Sequence, residues 1–175
     1  IMFTIRSKKF ILRPFRKGDE GSLLENINSK KIAKNTLTIP HPYKLKDACF
    51  WINRNLKLNK KKKKTEISFA IDINGEVVGG IGLDKIENHK AEIGYWLGEK
   101  YWGQGIMTSA IKLVTKYAFI TLGLKRIYAG AFPFNKASVR VLEKAGYKYE
   151  GRLRKDILKH NKLIDHLIFA KVKQS

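Results

Sequence analysis

The chain has 175 residues, of which 43% are hydrophobic and 29% are charged, and this balance is typical of one folded domain with its own core. No apolar run reaches the roughly 20 residues of a membrane-spanning helix, and a single cysteine excludes an intrachain disulfide framework, so we expect a cytoplasmic protein with no membrane partner. The net charge of +21 favours anionic partners such as nucleotides, CoA, nucleic acid or ribosomes, and it disfavours polycations unless an acidic pocket overrides the field.

The first third of the chain predicts one strand and two helices. Residues 10–15 form an apolar segment typical of a first strand. Asp19 is placed to cap a helix that carries Leu23, Leu24 and Ile27. Prolines interrupt regular structure in a loop over residues 38–43, and a second helix is predicted over residues 46–58.

The middle of the chain predicts an antiparallel meander of three strands. Apolar and polar residues alternate over residues 67–73, and Asn74-Gly75 then supplies a tight hairpin turn. The return strand covers residues 77–83, and its Gly80 and Gly82 predict the close approach of another backbone or of a ligand. A third strand is predicted over residues 91–98.

The last part of the chain predicts a long helix over residues 104–122, a strand over residues 126–131, a short helix and two closing strands near residues 147–154 and 166–172. Asn135 is placed to cap the short helix. The strand–helix–strand unit from Tyr95 to Ala131 implies a parallel pair joined by a right-handed crossover. The fold class is therefore mixed α/β, and it is not a doubly wound dinucleotide fold.

A short loop with two glycines, Gly103 and Gly105, joins the third meander strand to the long helix. The first turn of a helix offers unpaired N–H groups and a partial positive charge, and glycine lets a phosphate approach the backbone, so a pyrophosphate is the natural ligand. The loop lacks the third glycine of a dinucleotide fingerprint and the Gly-Lys-Ser/Thr of a P-loop. By itself it fits a plain loop-to-helix turn equally well.

The amino-acid sequences of three segments resemble those of the GCN5-related N-acetyltransferase (GNAT) superfamily, and within it the RimJ/RimL-type acetyltransferases of ribosomal-protein N-termini. These segments are Ile-Gly-Tyr-Trp-Leu at residues 93–97, Tyr-Trp-Gly-Gln-Gly at 101–105 and Asn-Lys-Ala-Ser-Val-Arg-Val-Leu-Glu-Lys-Ala-Gly-Tyr at 135–147. The family's Arg/Gln-x-x-Gly-x-Gly/Ala motif falls on residues 100–105, with Lys100 in place of the usual first residue. The resemblance covers nearly the whole chain. It implies one acetyltransferase domain over residues 1–175, with a mostly antiparallel sheet, flanking helices and one splayed parallel strand pair.

The resemblance also implies that acetyl-CoA is bound in that splay. The pantetheine arm would lie between the strand of Tyr95 and that of Tyr128, and the pyrophosphate would contact residues 103–108, with Lys100 able to neutralise a phosphate. The predicted cofactor-binding residues are Tyr95, Trp96, Leu97, Lys100, Trp102, Gly103, Gln104, Gly105, Ile106, Met107, Thr108, Asn135 and Ser138.

The catalytic residues are predicted less directly. Many superfamily members protonate the departing thiolate with a tyrosine, but Leu142 occupies that position here, and Ser138 is the predicted substitute. Ser138 could instead only satisfy the start of its own helix, as Asn135 does. Glu92 is the predicted general base, and the alternatives are an exposed strand carboxylate without a role or a water relay from backbone carbonyls. No metal site is predicted, because metal-ligand spacing is lacking among His41, His89, His160 and His166, which read as surface or turn residues.

These features predict an N-acetyltransferase that transfers the acetyl group of acetyl-CoA to a primary amine. The resemblance favours the N-terminal α-amine of a ribosomal-protein-like acceptor, with acceptor contacts from the early helices and residues 36–43. A small-molecule amine such as a polyamine, an aminoglycoside or an amino acid is the first alternative. The second is a non-catalytic CoA-binding protein that associates with RNA or ribosomes, for which the run of lysines at residues 60–64 gives a motive. Either a monomer or a homodimer fits the sequence.

Overall fold

The computed structural model describes residues 3–174, and in them eight strands form a single sheet with helices packed on both faces. The strands are β1 (Ile5–Arg6), β2 (Ile11–Arg13), β3 (Ile67–Ile73), β4 (Glu76–Glu87), β5 (Lys90–Leu97), β6 (Arg126–Ala131), β7 (Lys148–Lys159) and β8 (Lys162–Val172). The helices are α1 (Glu20–Ile27), α2 (Lys30–Asn35), α3 (Leu45–Asn59), α4 (Ile106–Ile120) and α5 (Lys136–Lys144), with a 3-10 turn at Glu99–Tyr101. None of these helices is long and apolar enough to cross a membrane.

The strand order is β1-β2-β3-β4-β5-β6-β8-β7, and all neighbours are antiparallel except β5 and β6. That parallel ladder holds only three pairs, and its last pair joins Glu92 to Tyr128. Beyond this pair the two strands continue to Leu97 and Ala131 without pairing to each other, although each still pairs with its other neighbour. The predicted mixed sheet with one splayed parallel pair is therefore confirmed.

Two apolar cores lie on opposite faces of the sheet. On one face α4 and α5 bury Ile111, Val114 and Leu142 against the strands, and each of these side chains is fully buried. On the other face α1 and α3 bury Leu23 and Ile52. Burial of each such side chain stabilises the fold by about 1.5–3 kcal/mol, so the helices are fixed to the sheet mainly by these contacts.

Local sequence signals place most elements within a few residues of where they lie. Asn74 and Gly75 both have positive φ, 54° and 88°, as their turn requires. Helix α4 begins at Ile106 and ends at Ile120, inside the predicted 104–122. The two closing strands are longer than predicted, because β7 and β8 form one hairpin that turns at His160 and Asn161, both with positive φ.

Two expectations for the first third of the chain are wrong, and the sequence does not predict β1 or α2. The strand predicted over residues 10–15 narrows to β2, and β1 pairs with it although its two residues show no periodicity. Helix α2 was not predicted, yet Ser29 caps it by accepting hydrogen bonds from the N–H groups of Lys31 and Ile32. Asp19 occupies the first cap position of α1 but makes no capping bond, because a buried guanidinium engages its carboxylate instead.

That guanidinium belongs to Arg13, which ties β2 to α1 and β3. Its Nη1 and Nη2 each lie 2.8 Å from a carboxylate oxygen of Asp19, and its Nε lies 2.6 Å from Asp72 Oδ2. All three residues are at most 7% exposed. One buried cation is thus balanced by two buried carboxylates, a bidentate arrangement that fixes orientation as well as charge.

Candidate active site

A cleft of about 1160 Å³ opens where β5 and β6 separate. It extends from the start of α4, past the two splayed strands, to residues of α3, of the loop at 36–40 and of the β7–β8 hairpin. Alternation along β5 divides its side chains between the two faces, so Tyr95 packs towards the α4–α5 core and Trp96 towards the α1–α3 core. Glu92 and Gly94 share the face of Trp96.

Gly80 and Gly82 lie on β4, opposite Trp96 and Gly94 of β5. A Cβ added to Gly80 would lie 2.5 Å from the indole Nε1 of Trp96, and one added to Gly82 would lie 2.7 Å from the carbonyl oxygen of Ile67. The close neighbours of these glycines are therefore a side chain and an adjacent strand of the protein itself.

The cleft meets the start of α4 at Gly103 and Gly105, whose φ values are 74° and 75°. A Cβ at either position would meet no atom within 4 Å, so the space above this backbone is open. Among residues 3–174 no side chain caps α4, and its first N–H groups and its dipole face that open space. Arg140 and Lys144 of α5 line the same cleft and add positive charge. These features fit a pyrophosphate group.

Ser138 lies where α5 borders the splay, and its hydroxyl oxygen is 2.7 Å from the hydroxyl of Tyr95. Burial raises the pKa of Tyr95 to about 12, although the bond to Ser138 lowers it in part. The phenol is therefore neutral at pH 7 and remains a proton donor. The Ser138 backbone N–H separately donates to Asn135 Oδ1 at 3.1 Å, so Asn135 caps α5 and leaves the serine hydroxyl free for Tyr95. Leu142, at the family's tyrosine position, is fully buried and carries no polar group.

Glu92 lies at the vertex of the splay, in the last pair of the parallel ladder. Its carboxylate accepts a hydrogen bond from Lys85 Nζ at 2.7 Å, and its side chain is 24% exposed. Directly across the β4–β5 ladder stands Asp84, which sequence reasoning missed although the hairpin register pairs these two positions. Partial burial of the carboxyl at the cleft wall raises the pKa of Asp84, because it disfavours the charged form. The nearby carboxylates of Glu66 and Glu92 raise this pKa further. The Asp84 side chain opens onto the cleft and not into the core.

The structure brings most of the predicted cofactor-binding residues to this cleft, but not all of them. Lys100 donates to Glu25 Oε1 at 2.7 Å, and Gln104 donates to the Lys100 carbonyl, so neither side chain lines the cleft. The Leu97 carbonyl already accepts a bond of 2.7 Å from the indole of Trp102. The predicted residues that do line the cleft are Glu92, Tyr95, Trp96, Leu97, Trp102, Gly103, Gly105, Ile106, Met107, Thr108, Asn135 and Ser138.

The comparison with known families agrees with this geometry. Residues 9–148 match the family model described as the acetyltransferase (GNAT) domain. The chain belongs to the GNAT acetyltransferases. It is therefore an N-acetyltransferase, with acetyl-CoA as its acyl donor.

Individual relatives of this GNAT chain give the same result. Over 114 residues it is 49% identical to the Bacillus subtilis protein named probable N-acetyltransferase YjcK, a match that covers 62% of this chain and 63% of that protein. The crystal structure of a GNAT-family acetyltransferase from Bacillus anthracis superimposes with a TM-score of 0.85 at 25% identity, over 97% of this chain and 98% of that one. RimL, the ribosomal L7/L12 alpha-N-protein acetyltransferase, solved in complex with coenzyme A, superimposes with a TM-score of 0.86 over 97% of this chain and 98% of that one. Its identity is 20%, so this likeness concerns the fold alone.

Proposed function

We propose that this GNAT enzyme acetylates the N-terminal α-amine of a protein, of the ribosomal-protein class. The observation that carries the proposal is the extent of the cleft beyond the proposed cofactor region. There it is lined by residues 36–40, Trp51 and residues of the β7–β8 hairpin, and we assign this part of the cleft to an extended peptide. The resemblance of residues 93–97, 101–105 and 135–147 to the RimJ/RimL-type acetyltransferases favours the same acceptor class.

Acetyl-CoA supplies an acyl group activated as a thioester. For its pyrophosphate we propose the open backbone of residues 103–108 and the cations of α5. For its pantetheine arm we propose the edge of β5 at Tyr95, Trp96 and Leu97 that pairs with β4 but no longer with β6. Asn135 and Ser138 close the site from α5. Lys100, bonded to Glu25 outside the cleft, would reach a phosphate only after breaking that pair.

The hydroxyl pair of Ser138 and Tyr95 is the proposed donor to the sulfur that leaves as the acyl group is transferred. Because the phenol stays neutral, the pair can place an O–H where negative charge develops, which is the largest single contribution in many acyl transfers. Tyr95 was predicted only as a cofactor contact, so its hydroxyl adds a second member to the predicted Ser138 site.

Glu92 is the proposed acceptor of the first proton, the one that converts an incoming ammonium into a nucleophilic amine. Its carboxylate accepts a hydrogen bond from Lys85 Nζ at 2.7 Å, and Glu92 lines the cleft at the vertex of the splay. Asp84 stands opposite it and would attract the ammonium. The cleft lining carries as many carboxylates as lysines and arginines, so it is far less positive than the chain of net charge +21 as a whole and can admit a cationic acceptor.

The carboxylates of this lining also favour a second candidate, a small-molecule amine such as a polyamine. Asp84 forms no ion pair within residues 3–174, so it is available to a second cationic group of such an acceptor. This candidate differs from the first in the length of acceptor that the cleft must hold, and not in the chemistry.

Intact-mass spectrometry of ribosomal proteins with free N-termini, incubated with the enzyme and acetyl-CoA, tests the proposal. We expect a gain of one acetyl group, located by fragmentation on the α-amine, and no gain when the same N-terminus is blocked beforehand. Spermidine and an aminoglycoside are assayed in parallel by release of free CoA. Turnover of these amines without any modified protein would overturn the N-terminal assignment. Co-sedimentation with ribosomes tests whether the exposed lysines at residues 60–63 add an RNA contact.

A further inference from the structure

A histidine and an aspartate from the β7–β8 hairpin form a pair on the wall of the acceptor cleft. His166 Nδ1 lies 3.1 Å from Asp156 Oδ2, and the histidine side chain is only 17% exposed. Because an ionised carboxylate only accepts hydrogen bonds, this contact favours the neutral tautomer with the proton on Nδ1, in which Nε2 is the acceptor. Both residues line the cleft.

The backbone of β7 is shaped to make this pair. The β7–β8 register runs from Leu153 opposite His166 to Ile157 opposite Ile164, so β7 carries two extra residues between these points. Lys155, within the bulge, has a φ of 53°, and its N–H donates to Asp165 Oδ1 at 2.8 Å. Bulges are frequent beside active sites because they redirect a side chain. Here the bulge contains Asp156, the partner of the imidazole.

The strand beneath His166 is also shaped for it. A Cβ added to Gly130 would lie 1.7 Å from Nε2 of the imidazole, so only glycine allows the ring to lie on β6 at this point. Gly130 is two residues past Tyr128, the last residue of β6 that pairs with β5. The ring thus lies over the end of β6 that no longer pairs with β5. It is on the same face of the sheet as Glu92, opposite the α4–α5 core.

We propose that His166, oriented by Asp156, is the second proton acceptor of this site, an inference that rests on the proposed amine acetylation. The acceptor nitrogen enters as an ammonium and must lose two protons. The first passes to Glu92. The second passes to His166 Nε2 as the C–N bond forms and the C–S bond breaks, while the sulfur gains a proton from the Ser138–Tyr95 pair. Proton exchange with water in the open cleft restores the protonation states of these side chains, and each turnover releases one proton to solvent.

Kinetics of the full chain, with whichever amine the wild-type enzyme acetylates, test the assignment. A general base typically contributes 10²- to 10⁴-fold, so we expect His166→Gln to lower kcat about 100-fold or more while the KM for acetyl-CoA stays within twofold. We expect Asp156→Asn to lower kcat about tenfold, because the ring loses its orientation. In His166→Ala, added imidazole should restore part of kcat. His89→Gln is the matched control, since His89 is exposed at the β4–β5 turn and lies outside the cleft.

The pH dependence of kcat/KM separates a catalytic role from a packing role. The other titratable groups that line this side of the cleft are Asp156, Tyr128, Glu92, Asp84 and Lys85. A limb of the profile that depends on the His166 imidazole should disappear in His166→Gln and persist in the His89 control. Unchanged kcat and an unchanged profile in His166→Gln would overturn the proposal, as would a loss that imidazole does not restore. If the wild-type enzyme acetylates only small amines, the N-terminal assignment fails while this comparison still decides the role of His166.

Discussion

Removal of the Ser138 hydroxyl tests the proposed donor pair at the point where the structure is most specific. Ser138→Ala deletes the oxygen that lies 2.7 Å from Tyr95 but keeps the backbone N–H that Asn135 caps, so the start of α5 is preserved. A buried hydroxyl left without its partner costs about 1–3 kcal/mol, and the free energy of unfolding should fall by that amount. Loss of one donor to developing charge costs about 10²- to 10³-fold in kcat, or 2.7–4 kcal/mol.

The assay measures release of free CoA at saturating acetyl-CoA, with urea unfolding in parallel. Ser109→Ala is the control, because Ser109 is exposed on α4 and forms no side-chain hydrogen bond within residues 3–174. Tyr95→Phe and the double variant complete a cycle, and we expect their effects on kcat to be clearly non-additive if the hydroxyls act as a pair. A kcat for Ser138→Ala within threefold of wild type, with the stability loss present, would show that the pair only packs the site.

Further predictions concern the cofactor loop, the buried ion pairs and the family's tyrosine position. Gly105→Val should weaken CoA binding at least tenfold by calorimetry, whereas Gly123→Val, with a similar φ of 70° and equally open space at the other end of α4, should cost only stability. Arg13→Ala should lower the free energy of unfolding by about 3–5 kcal/mol in urea, because it strands two buried carboxylates, while Lys90→Ala at an exposed pair should cost under about 1 kcal/mol. Leu142→Tyr should lower the free energy of unfolding by about 1–3 kcal/mol in urea, because it overpacks a fully buried site, without raising kcat; a stable, faster variant would contradict this.

The features that sequence predicted well are those that short-range patterns determine. Strand alternation gave β3 at residues 67–73 without error in its bounds, and Asn74-Gly75 fixed the turn after it. The apolar stripe located α4 to within two residues at each end. The glycine loop before α4 could be recognised because its function depends on backbone conformation, which glycine reports directly.

The features that sequence did not predict depend on residues far apart in the chain. Tyr95 and Ser138 are 43 residues apart, and strand alternation alone gives no sign that the phenol meets the serine. Asp is a residue type that favours helix N-caps, but the buried Arg13 binds the Asp19 carboxylate instead. The sequence predicts a surface or turn position for His166, because the bulge that brings Asp156 to it changes the strand's period and so hides the pairing. The Ser29 cap of α2 was a local signal that could have been read.

The three-pair ladder between β5 and β6 also divides the sheet mechanically. Five strands lie on one side of it and three on the other, and this short ladder, with the adjoining bonds from the Lys125 and Arg126 N–H groups to the His89 carbonyl, joins the two parts of the sheet. A pantetheine arm that hydrogen-bonds to the free edges of β5 and β6 would connect these two parts of the sheet. Amide hydrogen exchange at residues 93–97 and 129–131 should therefore slow when coenzyme A binds, and the two parts should then unfold as one unit.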